Sequence, residues 1–182
     1  MLAQQQWHAR TAALAALLSV ALVGLPYKVS AQEQERPSPV VDVIKGVVFD
    51  PTTYAPATIA YYATMRDWNT SQPFFRAGYV EHNERFTLTG RPNDVPMSYG
   101  DGQRRILTDA LVNLQMSLVN NFADQMFERM LITRFPEHRK LVRTLGWIER
   151  VSFASFMSYQ LSAQHYRQAG MNAQRAQQMG LR

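Results

Sequence analysis

The chain has 182 residues, a formal net charge of +5 and no cysteine. Disulfides, Cys-ligated metal centres and lipid attachment through an N-terminal cysteine are therefore excluded. Only Lys28, Lys45 and Lys140 are lysine, and the charge is uneven: nine basic residues face two acidic ones from Arg129 onward, against eight and twelve over residues 32–128. A basic half favours anionic lipid, nucleic acid or an acidic partner. The plainer reading is that the two halves neutralise each other within one domain, because the arginines are spaced along a helical pattern.

The N-terminus has the pattern of an export signal. Met1 to Arg10 is polar and ends in a positive charge, and Thr11 to Leu25 is an apolar run of fifteen residues. Pro26 breaks the run, and Val29 and Ala31 place small residues where a signal peptidase reads. Fifteen residues fall short of the roughly 20 that a membrane-spanning helix needs. The pattern predicts cleavage after Ala31, a mature chain beginning at Gln32, and a periplasmic or extracellular location. Export without cysteine suits a bacterial envelope. The single glycosylation sequon, Asn69-Thr70-Ser71, is a match expected by chance in this length.

Gln32 to Pro39 is polar and proline-containing, which predicts a flexible leader. Val40 to Phe49 is β-branched and short, and with no second strand to pair with it reads as an extended arm. Asp50-Pro51 then opens a helical region, Asp50 as cap and Pro51 as first residue. Regular helix is expected from about Ala57 to Asn69, with Ile59, Tyr62, Met65 and Trp68 on one face. Ser71 is expected to cap a second helix carrying Phe75, Tyr79, His82 and Phe86 as an aromatic stripe. Thr89 to Gly100, with two prolines and two glycines, is a loop.

From Asp101 a long pattern runs for about 30 residues. Its apolar face is Ile106, Leu107, Ala110, Leu111, Leu114, Leu118, Phe122, Met126, Phe127 and Met130; opposite lies a polar line, Asp109, Asn113, Ser117, Asn120, Asp124 and Glu128. Pro136 interrupts it, because the residue before a proline avoids helical angles. A second long pattern carries Leu141, Leu145, Ile148, Val151, Phe156 and Leu161, with Gly170 as its stop and a small-residue row at Ser152, Ser155, Ser158 and Ser162. Residues 171–182 form a polar tail. The expected fold is all-α: an antiparallel hairpin of two long helices, covered by shorter N-terminal helices, within a helical domain at 50–170. In that hairpin Glu128 should face Arg143, and Met130 or Phe127 should pack on Leu141 or Leu145.

Tests for chemistry find little. His82, His138 and His165 have no Glu three residues before them and no His-Glu-x-x-His occurs, so the helical metal signatures are missing. Glu81-His82-Asn83-Glu84 is the densest cluster, but helical neighbours diverge by about 100°. There is no phosphate loop, no dinucleotide fingerprint and no Gly-x-Ser-x-Gly. Gly100 to Arg105 opens a helix beside two arginines, yet Asp101 as the cap would fill the anion position itself. Asp124 and Glu128 read as solvated or paired with arginine across the hairpin. Arg139, Lys140, Arg143 and Arg150 form a basic edge without a nucleic-acid motif, which leaves a membrane surface as an option. No catalytic, cofactor or metal residues are assigned.

Val48-Phe49-Asp50-Pro51-Thr52-Thr53-Tyr54-Ala55, after a signal and a short leader, resembles the start of mature conjugal-transfer periplasmic proteins, the minor-pilus components of type IV secretion systems. That resemblance covers eight residues and implies an exported, mostly helical, non-enzymatic protein acting through contacts within a secretion apparatus. The aromatic segment Pro73 to Phe86 and Trp147 depart from the family's Gln/Ala-rich helices, and no functional residues are carried over. The expected function is an exported interaction or scaffolding protein of a bacterial envelope assembly that binds a protein partner or itself. The alternative is a small periplasmic enzyme or binding protein with a pocket at Tyr79, His82, Tyr99 and Trp147.

Overall fold

The computed structural model describes residues 39–181. The expected signal, its cleavage point and nearly all of the leader lie outside the described residues. The fold is all-α, as the periodicity predicts. Among the described residues four helices follow in order: α1 (Pro39–Phe49), α2 (Ala55–Arg76), α3 (Tyr99–Arg134) and α4 (Arg139–Gln178). Short 3-10 turns stand at Pro51–Thr53, Glu84–Phe86 and Pro136–His138. Among the described residues no helix is long and apolar enough to cross a membrane.

The segment 40–49 corrects the extended-arm expectation, because it is helix α1. Val43 and Val47, four apart, are both buried, so tertiary packing overrides the β-branched composition. Gly46 allows the approach: a Cβ there would collide with the Gln125 side chain of α3. Asp42 pairs with Arg129 at 3.2 Å on the same face.

Asp50 caps the following turn as expected, accepting from Thr52 N–H at 3.0 Å. The region beyond is one helix of 22 residues, not two. Ser71 does not cap a new helix; its hydroxyl donates back to the Asp67 carbonyl at 3.0 Å. Pro73 falls in the last turn, where it removes a single helical hydrogen bond. The stop is Gly78, whose φ of +87° supplies the left-handed position, with Tyr79 N–H donating to the Phe74 carbonyl at 3.1 Å. The expected aromatic stripe is thus split. Phe75 and Phe86 pack on Trp68, while Tyr79 and His82 stand exposed in the segment that follows.

Residues 77–98 form an appendage at one end of the helices. It closes on itself through isolated bridges at Glu81–Asp94 and Thr87–Pro96. Phe86 stacks on Trp68 with ring centroids 5.3 Å apart, and Ile106 completes this buried apolar cluster. Ser98, not Asp101, caps α3, accepting from Asp101 N–H at 3.1 Å.

α3 has 36 residues and α4 has 40, so they extend about 54 and 60 Å. The chain reverses between them at Phe135 (φ −132°, ψ 67°), which the following proline holds out of the helical region. α2 lies against both long helices. Thr53 meets Asn121 while Trp68 meets Tyr99, so α2 runs antiparallel to α3. Asp67 meets His165 and Ser71 meets Asn172, so it runs parallel to α4. Gly170 is not a stop, because α4 continues through it to Gln178 and absorbs most of the expected polar tail.

Two glycines give opposite expectations. At Gly102 a Cβ would drive into the buried Trp68 ring, so Gly102→Ala should destabilise by about 1–3 kcal/mol. At Gly170 nothing lies within 4 Å, so Gly170→Ala should stabilise by about 0.5–1 kcal/mol. Urea unfolding midpoints measure both.

Candidate functional site

The interior between the long helices is small and polar. α4 turns a row of Gly146, Arg150, Ala154, Ser158, Ser162, Ala169, Asn172 and Ala176 inward. Ser158 and Ser162 therefore belong to the close-approach face, whereas Ser152 and Ser155 are exposed. From α3 the buried side chains include Ser117 and Asn121, members and neighbours of the line expected to face outward. Such residues let helices approach closely, but each polar group needs a partner.

Three groups supply those partners. Asn121, fully buried, donates to the Thr52 and Thr53 hydroxyls at 2.9 and 2.8 Å, and Thr53 donates to the Val47 carbonyl at 2.8 Å. Further along, Asp67 meets His165 Nδ1 at 2.8 Å and Asn172 Nδ2 at 3.2 Å, while Asn172 also reaches Ser71 at 2.9 Å.

The third group centres on Arg150, whose side chain is only 9% exposed. Its guanidinium bonds Asp124, lies 3.1 Å from Glu128, and has Nε 2.9 Å from Asp50. The Asp50 contact is an ion pair without a well-aimed hydrogen bond, since Nε makes none. Burial works against the guanidinium charge, but the bonds to Glu128 and Asp124 outweigh it and hold its pKa above the usual arginine value. Neighbouring Glu149 is pushed above the usual carboxylate range, first by burial and then by the Asp124 charge.

This cluster corrects the expected register. Glu128 pairs with Arg150 instead of Arg143. The reversal spans the 3-10 turn after Phe135, which brings Gly146 opposite Glu128; a Cβ on Gly146 would lie 2.6 Å from its Oε2. Arg150, one turn beyond, then reaches back. The expected packing of Met130 or Phe127 on Leu141 or Leu145 also fails, because all four side chains are more than half exposed.

The apolar face of α4 points the other way. Leu141, Leu145, Ile148, Phe156 and Tyr159 are 48–66% exposed, and Tyr166 continues the row. At about 100° per residue these positions fall within a stripe about 80° wide, centred opposite the buried row. α3 likewise exposes Leu107, Leu111, Val112, Phe127 and Met130. A groove of about 260 Å³ lies beside the stripe, lined by Pro51, Ala55 and Ile59 on one side and Val151, Ala154 and Ser158 on the other. Isolated exposed apolar residues are ordinary; here Leu141, Leu145, Ile148, Phe156, Tyr159 and Tyr166 form a row along one face of the helix.

Other sequence candidates do not converge. Tyr79 and His82 lie on the appendage, and Tyr99 bonds Asn69 at 2.9 Å where α3 begins. Trp147 is exposed near the hairpin corner, at the opposite end of the 36-residue α3. No pocket at these four residues is formed. At the α3 start, Asp101 bonds Ser98 and Arg104; the Ser98 bond, then Arg104, hold its carboxyl below the usual range. Among the described residues no cluster of three or more His, Asp or Glu is arranged to hold a metal ion. No protein-family model matches the chain, and comparison with curated proteins and with solved structures found no match.

Removing the charge that Asp50, Asp124 and Glu128 share should be costly. Arg150→Met leaves those carboxylates uncompensated in a largely buried site, and about 3–5 kcal/mol should be lost in urea unfolding at neutral pH. In the appendage, Glu81 is held above the usual carboxylate range, first by burial and secondarily by Asp67, against the bond it accepts from Asn83 N–H. Its charged form is disfavoured by the fold, so its contribution to stability is greatest below its unfolded pKa and falls as pH rises. Glu81→Gln should therefore stabilise the protein at pH 7 and lose that advantage below about pH 4. Unfolding midpoints at the two pH values check the sign.

Proposed function

We propose that this chain is an exported helical interaction protein that works as a structural part of a bacterial envelope assembly, in a secretion apparatus of the conjugal-transfer kind. The observation carrying this reading is the outward apolar face of α4, Leu141 to Tyr166, set on a helix about 60 Å long whose inner face is already satisfied. A face of that length suits docking along a partner more than enclosing a small molecule.

The N-terminal pattern supplies the export part of the reading. The eight residues that resemble the starts of minor-pilus proteins support the secretion part. In this fold they are the joint between α1 and α2: Asp50 serves both the turn and Arg150, and Thr53 ties α1 to α3. A segment with that many obligations would keep its letters wherever this joint is kept.

The reading is tested in the envelope. The exported protein should begin at Gln32 by intact mass and sediment with envelope fractions in an assembly larger than itself. Leu145→Lys with Phe156→Lys, both on exposed positions, should release it as free protein with its helical far-ultraviolet spectrum unchanged. Release of neither, or retention of the N-terminus in the membrane, overturns the proposal.

A further inference from the structure

Where α3 and α4 reverse, the hairpin ends in a tip unlike the rest of the molecule. No residue from 129 to 145 is buried. Between 129 and 147 five basic residues, Arg129, Arg134, Arg139, Lys140 and Arg143, stand against Glu137 alone. Asp42 is paired with Arg129, and Glu128 with Arg150. The exposed cations Arg134, Arg139, Lys140 and Arg143 therefore have only Glu137 among them, and it lies 3.7 Å from the His138 ring.

Large apolar side chains stand between these charges. Phe127, Met130, Phe135, Leu141, Leu145 and Trp147 are 42–58% exposed. They do not share one face. Trp147 follows Leu145 by two positions, about 160° round α4, and Phe135 stands at the reversal itself. A flat protein partner covers one side of such a tip and leaves the opposite side in water. A bilayer interface closes around it, taking aromatic and aliphatic groups into the headgroup boundary while arginine and lysine reach the phosphates.

α1 points to the same end. Asp42 pairs with Arg129 and Gly46 sits against Gln125, so α1 runs antiparallel to α3 and starts toward the tip, with Val41 and Ile44 exposed. The chain before Pro39 enters the fold there, and the expected export segment would hold this end nearest the membrane it crosses.

We propose that the α3–α4 tip binds the surface of an anionic phospholipid bilayer, with Phe135, Leu141 and Trp147 inserted and Arg134, Arg139, Lys140 and Arg143 on the lipid phosphates. A bilayer there leaves the α4 row beyond Ile148 open to a protein partner, so either contact can exist without the other.

The exported protein is tested on vesicles of phosphatidylglycerol with phosphatidylcholine, against vesicles of phosphatidylcholine alone. The chain from Gln32 holds two tryptophans, Trp68 buried and Trp147 exposed, so an emission shift reports Trp147. Anionic vesicles should move the emission to shorter wavelength, a change that Trp147→Phe removes. Arg139→Gln, Lys140→Gln and Arg143→Gln should each weaken binding about fivefold, and on the order of 100-fold together. Salt at about 0.5 M should weaken it for the same reason. These positions are exposed, so the helical far-ultraviolet spectrum should be kept. Phe156→Lys, beyond the tip, should still bind.

Equal binding to neutral vesicles, binding without the Trp147 shift, loss of binding on Phe156→Lys, or no binding at low salt overturns the proposal. So does a triple-glutamine variant that loses envelope association when the wild type ignores vesicles, a result that assigns the tip to an acidic protein. A protein that ignores vesicles but whose assembly is still released by Leu145→Lys with Phe156→Lys lacks the lipid contact alone, and the interaction reading stays in place.

Discussion

Arg150 is the charge on which the arrangement of the helices depends. One guanidinium on α4 answers Asp124 and Glu128 on α3 and Asp50 at the joint before α2, so three separate parts of the chain are located by one side chain. A buried ion cluster of this kind is weak evidence of stability, since desolvation offsets much of the attraction. Its value is geometric. The contacts to Asp124 and Glu128 locate α3 against α4, and the contact to Asp50 locates the joint where Thr52 and Thr53 meet Asn121. Gly146 completes the arrangement by leaving room for the Glu128 carboxylate against the helix backbone.

The rest of the interior follows the same logic. Alanine, serine and glycine let α2 settle onto α4, and hydrogen bonds between helices hold the alignment where large apolar side chains would usually do so. Among the described residues the one buried apolar cluster, Trp68 with Phe86 and Ile106, sits where the appendage folds over the start of α3. Apolar burial and polar pairing are therefore separated along the molecule: one secures the appendage end, the other the long helices.

This division explains what the sequence made legible. The helical periods, the reversal at Pro136 and the Asp50-Pro51 start are local signals, and they were readable because backbone chemistry decides them. Gly78 was equally readable as a helix stop, but Ser71 and Pro73 suggested a new start instead. The β-branched run at 40–49 carried a helical signal too, in Val43 and Val47 flanking Gly46, yet only contact with α3 makes it count. The harder error was directional. A hydrophobic period shows which face of a helix is apolar, and inference then places that face inward. Here Leu141, Leu145 and Phe156 point out, because the inner positions of α4 are fitted to the small and charged residues of α2, α3 and the Asp50 turn. Spacing of Asp124, Glu128 and Arg150 hinted at pairing across the hairpin, but the register needed the length of the 3-10 turn at Pro136–His138.

The small polar interior also shapes how stability varies with temperature. Unfolding an ordinary core raises the heat capacity because apolar surface is exposed, while exposing polar surface lowers it. Along most of α4 the surface released on unfolding is serine, asparagine, alanine and the Arg150 cluster, whereas leucine and phenylalanine on the outer row are in water already. The two contributions to the heat capacity then lie closer together than in a chain of this length with a leucine core. A smaller difference flattens the stability curve, so warming and cooling around its maximum change the free energy little. The folded form of such a molecule is governed by how well its polar groups remain matched, and much less by the temperature dependence of water around oil.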